Sequence, residues 1–129
     1  MKIKLYETPV PSTGFVCEAC LFANNEIRFT YRLGGQLIEG GIRFKMVSAQ
    51  RKRAERCCKV WHIEDSFDAL TEIENSEWAK EIYEDTKPHL RDHQEYHHYT
   101  IYLDSVGCFE FIADSWETFE RIIEEADEK

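Results

Sequence analysis

The chain has 129 residues, of which 43% are apolar and 13% aromatic, and it carries a net charge of −9. These values suit one domain over residues 1–129 with its own core, and they argue against a disordered or fibrous chain. No apolar run approaches the roughly 20 residues of a membrane span, and residues 1–6 lack the apolar core of a signal peptide. We therefore expect a cytoplasmic protein with no membrane partner.

The charge is divided unevenly along the sequence. Residues 1–63 contain 11 Lys and Arg against 5 Asp and Glu, a balance of +6, whereas residues 64–129 contain 5 against 20, a balance of −15. Pairing between the halves and solvated helix faces account for part of this asymmetry. An acidic surface does not bind nucleic acid through phosphate contacts, but it attracts a basic protein. We therefore expect a protein partner whose basic surface meets acidic side chains from residues 64–95 and around Glu110, and no nucleic acid.

Short strands are predicted in the first half of the chain. Residues 2–7 alternate charged and apolar side chains, as a strand does, and two prolines in residues 8–12 end it. Residues 15–33 predict a hairpin that turns at Asn24-Asn25, because Asn tolerates a positive φ. With that turn, Phe22 faces Ile27 and Cys20 faces Phe29. A helix over residues 13–23 is the competing interpretation.

The middle of the chain has a weaker pattern. Residues 42–47 alternate and predict a strand, whereas residues 50–56 have no inward-facing set. That stretch is either an exposed extension of the strand or a mobile loop. Residues 57–63, which include Trp61 and Ile63 on one face, predict another strand.

Residues 65–86 are predicted to be helical. Asp65 or Ser66 caps a first piece, the apolar phase slips at Asn75-Ser76, and a second stripe follows that contains Trp78. We expect two short helices with a kink between them, ending before Pro88.

The most informative stretch covers residues 96–126. Alternation on both sides of a glycine-ended loop at 105–107 predicts a hairpin that pairs Leu103 with Phe109, Ile101 with Phe111 and Tyr99 with Ala113. Asp114 then suits the N-cap of a helix over 115–127. Its apolar stripe consists of Trp116, Phe119, Ile122, Ile123 and Ala126. This helix is expected to pack on Phe109 and Phe111.

Together these elements predict an α+β fold. Its sheet has about seven largely antiparallel strands, and the helices at 65–86 and 115–127 pack on one face. The lack of alternating strand–helix units argues against a doubly wound parallel sheet.

Four cysteines invite a comparison with metal and redox sites. Cys17 and Cys20 form a CxxC, and Cys57 and Cys58 could supply two more thiolates, but an adjacent pair does not suit structural zinc. In a strand Cys17 and Cys20 would also point to opposite faces. We expect all of them to be reduced, buried thiols that act as small apolar residues.

Three histidines recur at four-residue spacing. On a helix His89, His93 and His97 would share one face, which is the geometry by which imidazoles bind a transition metal. This is not an HExxH sequence, and His97 is expected in the following strand. A polar, exposed connection is the simpler interpretation, so no metal site is assigned.

Two further patterns also have a simple interpretation. The basic cluster from Arg51 to Lys59 lacks the interleaved aromatic residues of a nucleic-acid surface, so we interpret it as pairing with the acidic half. A Cys57/His62 pair could act as nucleophile and base only if the fold brought the two together.

No conventional catalytic signature is present: the sequence lacks GxSxG, a Walker loop, GxGxxG and HExxH. The expected function is therefore that of a small acidic protein that binds another macromolecule, as immunity and regulatory proteins do. The alternative is a metal- or small-ligand-binding domain, possibly an enzyme, built on the segment that contains His89, His93 and His97. No cofactor and no catalytic residue are assigned.

Overall fold

A long two-stranded ribbon forms the centre of the computed structural model, which describes residues 1–124. Its strands are β4 (Gln36–Ala54) and β7 (Gly107–Glu124), which pair antiparallel along nearly their whole length. Seven strands form one sheet in the order β1-β5-β6-β7-β4-β3-β2. The others are β1 (Lys2–Glu7), β2 (Cys17–Phe22), β3 (Glu26–Leu33), β5 (Ala69–Ile73) and β6 (His97–Leu103). The helices are α1 (Val60–Ile63) and α2 (Glu77–Asp85), with 3-10 turns at Ser12–Gly14, Glu55–Cys57 and Pro88–His93.

The ribbon bends near its middle. Met46 has a left-handed φ of 53°, and the pairing of β4 with β7 shifts by one residue between Val47 and Ala49. A bulge of this kind kinks a strand and increases its twist. On one side of the bend, residues 36–43 of β4 pair with β3. On the other side, residues 107–113 of β7 pair with β6. The bend therefore divides the sheet into two halves that fold toward each other.

Aromatic side chains fill the inside of this bend. Phe44 from one half stacks on Phe111 from the other, with ring centroids 4.0 Å apart, and Tyr99 lies 5.8 Å from Phe44. Trp116 lies 6.1 Å from Tyr6 of β1, although two strands separate β1 from β7 in the sheet. Large rings in such contact supply most of the burial energy of a small core. The predicted inward orientation of Phe109 and Phe111 is confirmed, since their exposures are 2% and 1%.

The predicted helix over residues 115–127 is wrong for residues 115–124, which continue β7; residues 125–127 lie outside the described residues. Apolar spacing alone fits a helix there, but partners far away in sequence favour the strand. Glu117 pairs with Arg43 and Lys45 of β4, and Arg121 pairs with Glu39. Phe111 is therefore covered by Phe44 from the other half of the sheet and not by a helix over 115–124.

The predicted helical stretch 65–86 is correct only in its second half. Helix α2 begins after Asn75-Ser76, where the apolar phase slips, and Ser76 is its N-cap. Residues 69–73 instead form β5, between β1 and β6. Asp68 and Asn75 on either side of it have left-handed φ values of 55°, which break a helix.

The strand predicted over 57–63 is also wrong, because this stretch contains a 3-10 turn and the short helix α1. Of the two interpretations of residues 50–56, the strand extension is correct for 50–54, which pair with β7. Their side chains are largely exposed because β7 is their only partner strand among the described residues. This explains why they show no inward-facing set.

Both predicted hairpins form, but their registers differ from the prediction. In the β6–β7 hairpin Ile101 faces Phe109 and Tyr99 faces Phe111, a shift of two residues that keeps every side chain on its expected face. Gly107 lies in the ladder opposite Leu103, and a Cβ there would lie 2.1 Å from the carbonyl oxygen of Arg53. The glycine is thus required by close packing against β4 as well as by its φ of 121°.

The β2–β3 hairpin confirms the strand interpretation of residues 17–22 over a helix, with a register shift of one residue. Phe22 faces Glu26, not Ile27, because the loop contains three residues and only Asn25 has a positive φ, of 61°. Phe22 is consequently 41% exposed, while Ile27 is buried.

The described residues form a single domain with a seven-stranded antiparallel sheet and a few helices. The α+β description fits only loosely, because sheet dominates. Within residues 1–124 no helix is both long and apolar enough to cross a bilayer.

The close approach of β7 to β4 can be tested at Gly41. A Cβ at this position would lie 2.2 Å from the carbonyl oxygen of Ile27 and 2.6 Å from the ring of Phe119. We expect Gly41→Ala to lower the free energy of unfolding by about 1–3 kcal/mol, as overpacking does, measured by urea denaturation. Gly14→Ala is the control, because nothing lies within 4 Å of a Cβ there. Equal stability of both variants would contradict the close packing of Ile27 and Phe119 beside Gly41.

Candidate functional site

A chain of four polar side chains, of which only Arg51 is exposed, lies on the outer face of the 107–113 half of the sheet. Glu110 of β7 is 1% exposed and accepts hydrogen bonds from Arg51 of β4 at 2.8 and 3.2 Å. His98 of β6 contacts the same carboxylate through Nε2 at 2.7 Å. Ser76, the N-cap of α2, contacts His98 Nδ1 through Oγ at 2.7 Å. We call these four residues the Ser76–His98 relay.

Local sequence explains how these residues meet. His98 and Glu110 project from the same face of two paired strands, since His98 faces Ile112 and Thr100 faces Glu110. Side chains two residues apart on adjacent strands are diagonal neighbours. Ser76 reaches them because the turn after β5 points the start of α2 at β6.

The donor and acceptor capacity of each group fixes the direction of the hydrogen bonds in the relay. A carboxylate only accepts hydrogen bonds, so Nε2 of His98 donates to Glu110. In a neutral imidazole Nδ1 then accepts, which leaves Ser76 to donate its hydroxyl proton to it. The Ser76 oxygen in turn accepts the backbone N–H of Ala79 at 3.0 Å. Each polar side-chain atom of Ser76, His98 and Glu110 thus has a defined partner.

Aromatic packing shields the relay from one side. Trp78 of α2 lies edge-on to His98, with ring centroids 5.1 Å apart. The Arg51 guanidinium stacks over the Trp78 ring at 3.9 Å while it binds Glu110. A cation over an indole face is attracted by the ring quadrupole. Trp78 and Arg51 therefore form a lid over the Glu110 carboxylate.

Charge fixes the protonation state of Glu110. Burial alone would raise the pKa of Glu110, but the hydrogen bonds from His98 and Arg51 outweigh burial and lower it to about 2. The carboxylate therefore remains negative throughout the neutral range.

A groove of about 610 Å³ opens beside the relay, between α2, the 3-10 turn at Pro88–His93 and the start of β6. Ser76 and His98 both line it. Tyr83 and Tyr96, whose rings meet edge to face at 5.3 Å, form part of its wall. Its carboxylates belong to Glu72, Glu74, Glu84, Asp92 and Glu95. We call this cavity the acidic groove.

The cations of the acidic groove are engaged within the fold. Arg91 donates to the backbone carbonyls of Tyr83, Glu84 and Thr86, and Lys80 pairs with Glu77. Among residues 1–124, the carboxylates of Glu74, Glu84 and Asp92 form no ion pair or hydrogen bond. The groove therefore presents unneutralised negative charge.

The three predicted histidines are separated. His89 and His93 are exposed on the 3-10 turn, whereas His97 lies in β6 and is held by Glu72 at 2.7 Å and Glu95 at 2.5 Å. Burial lowers the pKa of His97, but the hydrogen bonds with Glu95 and Glu72 outweigh burial and raise it. In the described part of the chain, no group of three His, Cys, Asp or Glu side chains is placed to hold a metal ion.

The cysteines are also dispersed. A bulge in β2 pairs Cys17 with Thr30 and Cys20 with Arg28, which share a face of β3, so the expected opposite orientation is wrong. Both thiols are exposed and not buried as predicted; Cys57 is exposed too, and Cys58 is half-buried. All five cysteines are unpaired.

The Cys57/His62 pair does not form. His62 accepts the backbone N–H of Lys59 through Nδ1 at 2.9 Å, and burial lowers its pKa. Among the described residues no hydrogen bond joins it to Cys57.

The basic cluster has one member in the relay, Arg51, and its pairing with Glu110 connects the basic and acidic halves of the sequence. Ser76 was missed as a site residue, and Glu110 was expected on the partner-facing surface, whereas it is buried. The N-cap signal at Ser76 was present in the sequence, but nothing in the sequence placed it beside His98.

No protein-family model matches the chain, and neither curated proteins nor solved structures give a significant match.

The ion pairs of Glu110 predict a specific pH dependence. Because its folded pKa lies below the ordinary value of 4.5, ionised Glu110 stabilises the fold above that pH, and this contribution is lost as the pH falls toward about 2. We expect Glu110→Gln to lower the free energy of unfolding by about 3 kcal/mol at pH 7, and the difference from the wild type to shrink as the pH approaches 2.

Denaturant titrations at several pH values measure this difference. The matched control is Glu18→Gln, a substitution at an exposed residue that should change stability by about 0.5 kcal/mol or less. A cost for Glu110→Gln that stays constant from pH 7 to pH 2 would show that the carboxylate charge is not what stabilises the relay.

Proposed function

We propose that the protein binds a basic segment of another protein in the acidic groove. The observation that carries the proposal is the combination of a cavity of about 610 Å³ with carboxylates that have no cation partner among the described residues. Such a surface attracts Lys and Arg side chains and raises the rate of encounter.

The wall of the groove supports the same proposal. Tyr83 is 39% exposed and sits on α2, and Tyr96 meets it from the opposite side. Tyrosine combines a large apolar area with a polar tip, which suits contacts with the aliphatic stems of Lys and Arg. The groove thus offers both charge and area to a basic segment.

The proposed partner-binding surface is smaller than the acidic surface that the sequence suggested. Glu110, expected among the partner-facing carboxylates, is 1% exposed and is already paired with Arg51 and His98. It therefore holds the groove in place and does not meet the partner. The contact surface of the proposal consists of residues 72–97.

The cytoplasmic setting expected from the sequence is part of the proposal, together with an immunity-like or regulatory role. Five free thiols, three of them exposed, are what a reducing compartment maintains. The alternative, a metal-binding segment at His89, His93 and His97, has no such support. A small-ligand role remains a second candidate, because Ser76 and His98 line the same groove.

Charge neutralisation tests the proposal. The double variant Glu84→Gln/Asp92→Asn removes two unpaired groove carboxylates, whereas Glu18→Gln/Glu64→Gln removes two exposed carboxylates elsewhere. The probe is a fluorescently labelled peptide of alternating Lys and Ala. We expect the groove variant to weaken binding by about three- to tenfold, as two exposed charge pairs would, and the control variant to leave it nearly unchanged.

Fluorescence anisotropy at 50 mM and 500 mM salt gives the second readout. Affinity should fall steeply with salt, because screening acts on exposed charges. Equal weakening by both double variants, or binding that does not depend on salt, would reject the groove as the binding surface.

A further inference from the structure

The turn before α2 places the capping residue Ser76 beside the acidic groove and beside His98. β5 ends at Ile73, Asn75 has a left-handed φ of 55°, and α2 starts at Glu77. Ser76 thus sits in a sharp strand-to-helix turn, half-buried, with its hydroxyl between the groove and His98. A serine on such a turn can present its oxygen to a substrate without hindrance from its own backbone.

Three groups in line give this serine a route for its proton. Ser76 Oγ to His98 Nδ1 and His98 Nε2 to Glu110 Oε1 are both 2.7 Å. Nucleophile, base and a third group that orients the base are the parts that activate a hydroxyl. The geometry resembles this arrangement with the two imidazole nitrogens exchanged, which leaves the proton transfers unchanged.

We propose that Ser76 is the nucleophile, and His98 the general base, of a site that hydrolyses carboxylic esters bearing a cationic group. The cationic preference rests on the proposed function of the acidic groove; the nucleophile does not. Glu110 and Arg51 act as positioning residues, because they touch His98 and Glu110 respectively and not the groove substrate.

The reaction divides into two balanced steps. Ser76 Oγ attacks the ester carbonyl carbon and its proton passes to His98 Nδ1; the carbon–oxygen bond to the alcohol breaks, and the alcohol leaves with that proton. Water then attacks the acyl-serine, His98 takes a proton from the water and returns it to Ser76 Oγ, and the carboxylic acid leaves. Throughout, Glu110 stabilises the transient imidazolium through Nε2.

In this proposal the negative oxygen that forms on the carbonyl is stabilised by the start of α2. The first N–H groups of a helix have no intrahelical acceptor. Those of Glu77 and Trp78 directly follow Ser76, and α2 is nine residues long. Backbone donors aimed at a developing oxyanion are a major source of rate enhancement.

The first experiment tests the nucleophile without reference to charge. The purified full chain is treated with an uncharged alkyl fluorophosphonate and digested, and the modified residue is identified by mass spectrometry. We expect one adduct, on Ser76. No adduct, or adducts spread over several serines, would overturn the proposal.

Two variants separate the proposed role of Ser76 as a nucleophile from its role as the N-cap of α2. Ser76→Asn keeps a side-chain oxygen for the Ala79 N–H, so the helix cap and the fold should persist while labelling is lost. Ser115→Ala is the control, a serine of β7 outside the groove, and should label like the wild type. Labelling that survives Ser76→Asn would also overturn the proposal.

Glu110→Gln tests positioning through the pH profile. Labelling of Glu110→Gln should be slower than labelling of the wild type, and its pH profile should differ, because a neutral amide cannot stabilise the positive imidazolium that forms on His98. An unchanged profile would show that Glu110 has only a structural role and would remove it from the proposed site.

A final comparison tests substrate class. Hydrolysis of acetylcholine is compared with hydrolysis of its uncharged carbon isostere, 3,3-dimethylbutyl acetate. We expect kcat/KM to favour the cationic ester by at least about threefold at low salt. Labelling of Ser76 without this preference would retain the nucleophile but overturn the cationic substrate, while a peptide-binding groove without labelling would retain only the proposed function.

Discussion

The bend in the β4–β7 ribbon is the constraint on which the rest of the structure depends. Without it, Phe44 and Phe111 would lie far apart on a long flat ribbon, whereas their rings are 4.0 Å apart. The bend is held from outside as well: Gln94 donates to the carbonyl oxygen of Met46 at 3.0 Å, and Asp114 accepts the backbone N–H of Glu95 at 2.7 Å. The segment that holds the bend also forms one wall of the acidic groove. The segment that contains Gln94 and Glu95 therefore contributes both to the fold and to the candidate site.

Burying charge on the outer face is the second consequence of this architecture. Glu110 lies on a sheet face that is covered by Trp78 and Arg51, so it is only 1% exposed, and the cost of burying its charge is offset by Arg51 and His98. A buried ion pair contributes little net stability compared with apolar packing, but it fixes geometry. Here the fixed geometry is that of His98, and through it that of Ser76. The polar relay is thus better explained by a positional role than by stability alone.

Local patterns in the sequence predict much of the sheet and little of its ends. Alternation identified β1, β3, β6 and the 107–113 part of β7, because apolar and polar side chains alternate along much of each strand. It failed for residues 115–124, whose charged side chains are satisfied by Arg43, Lys45 and Glu39, more than seventy residues earlier. It failed for β5 because a five-residue strand flanked by left-handed Asp68 and Asn75 imitates helical spacing. Register errors arose from loops in which Asn25 and Ser105 adopt positive φ values of 61° and 65°.

The candidate site was the least predictable part, because its residues come from four separate elements. The acidic half of the sequence predicted the groove's charge, but not that Glu110 would be buried. The histidine spacing directed attention to His89, His93 and His97, whereas the neighbouring His98 is the residue that joins Ser76 and Glu110. A capping serine and a strand glutamate carry no motif, and only the tertiary fold brings them together.

The most direct test of this account is an NMR measurement of the backbone of residues 115–124. The bent ribbon requires cross-strand contacts between backbone protons of Ile42 and Thr118 and of Phe44 and Trp116, the paired residues of β4 and β7. Observation of these contacts, with slow amide exchange along the ribbon, is the predicted result. Medium-range contacts between residues three apart over 115–124 are typical of a helix. Their observation would contradict the ribbon and the packing that depends on it.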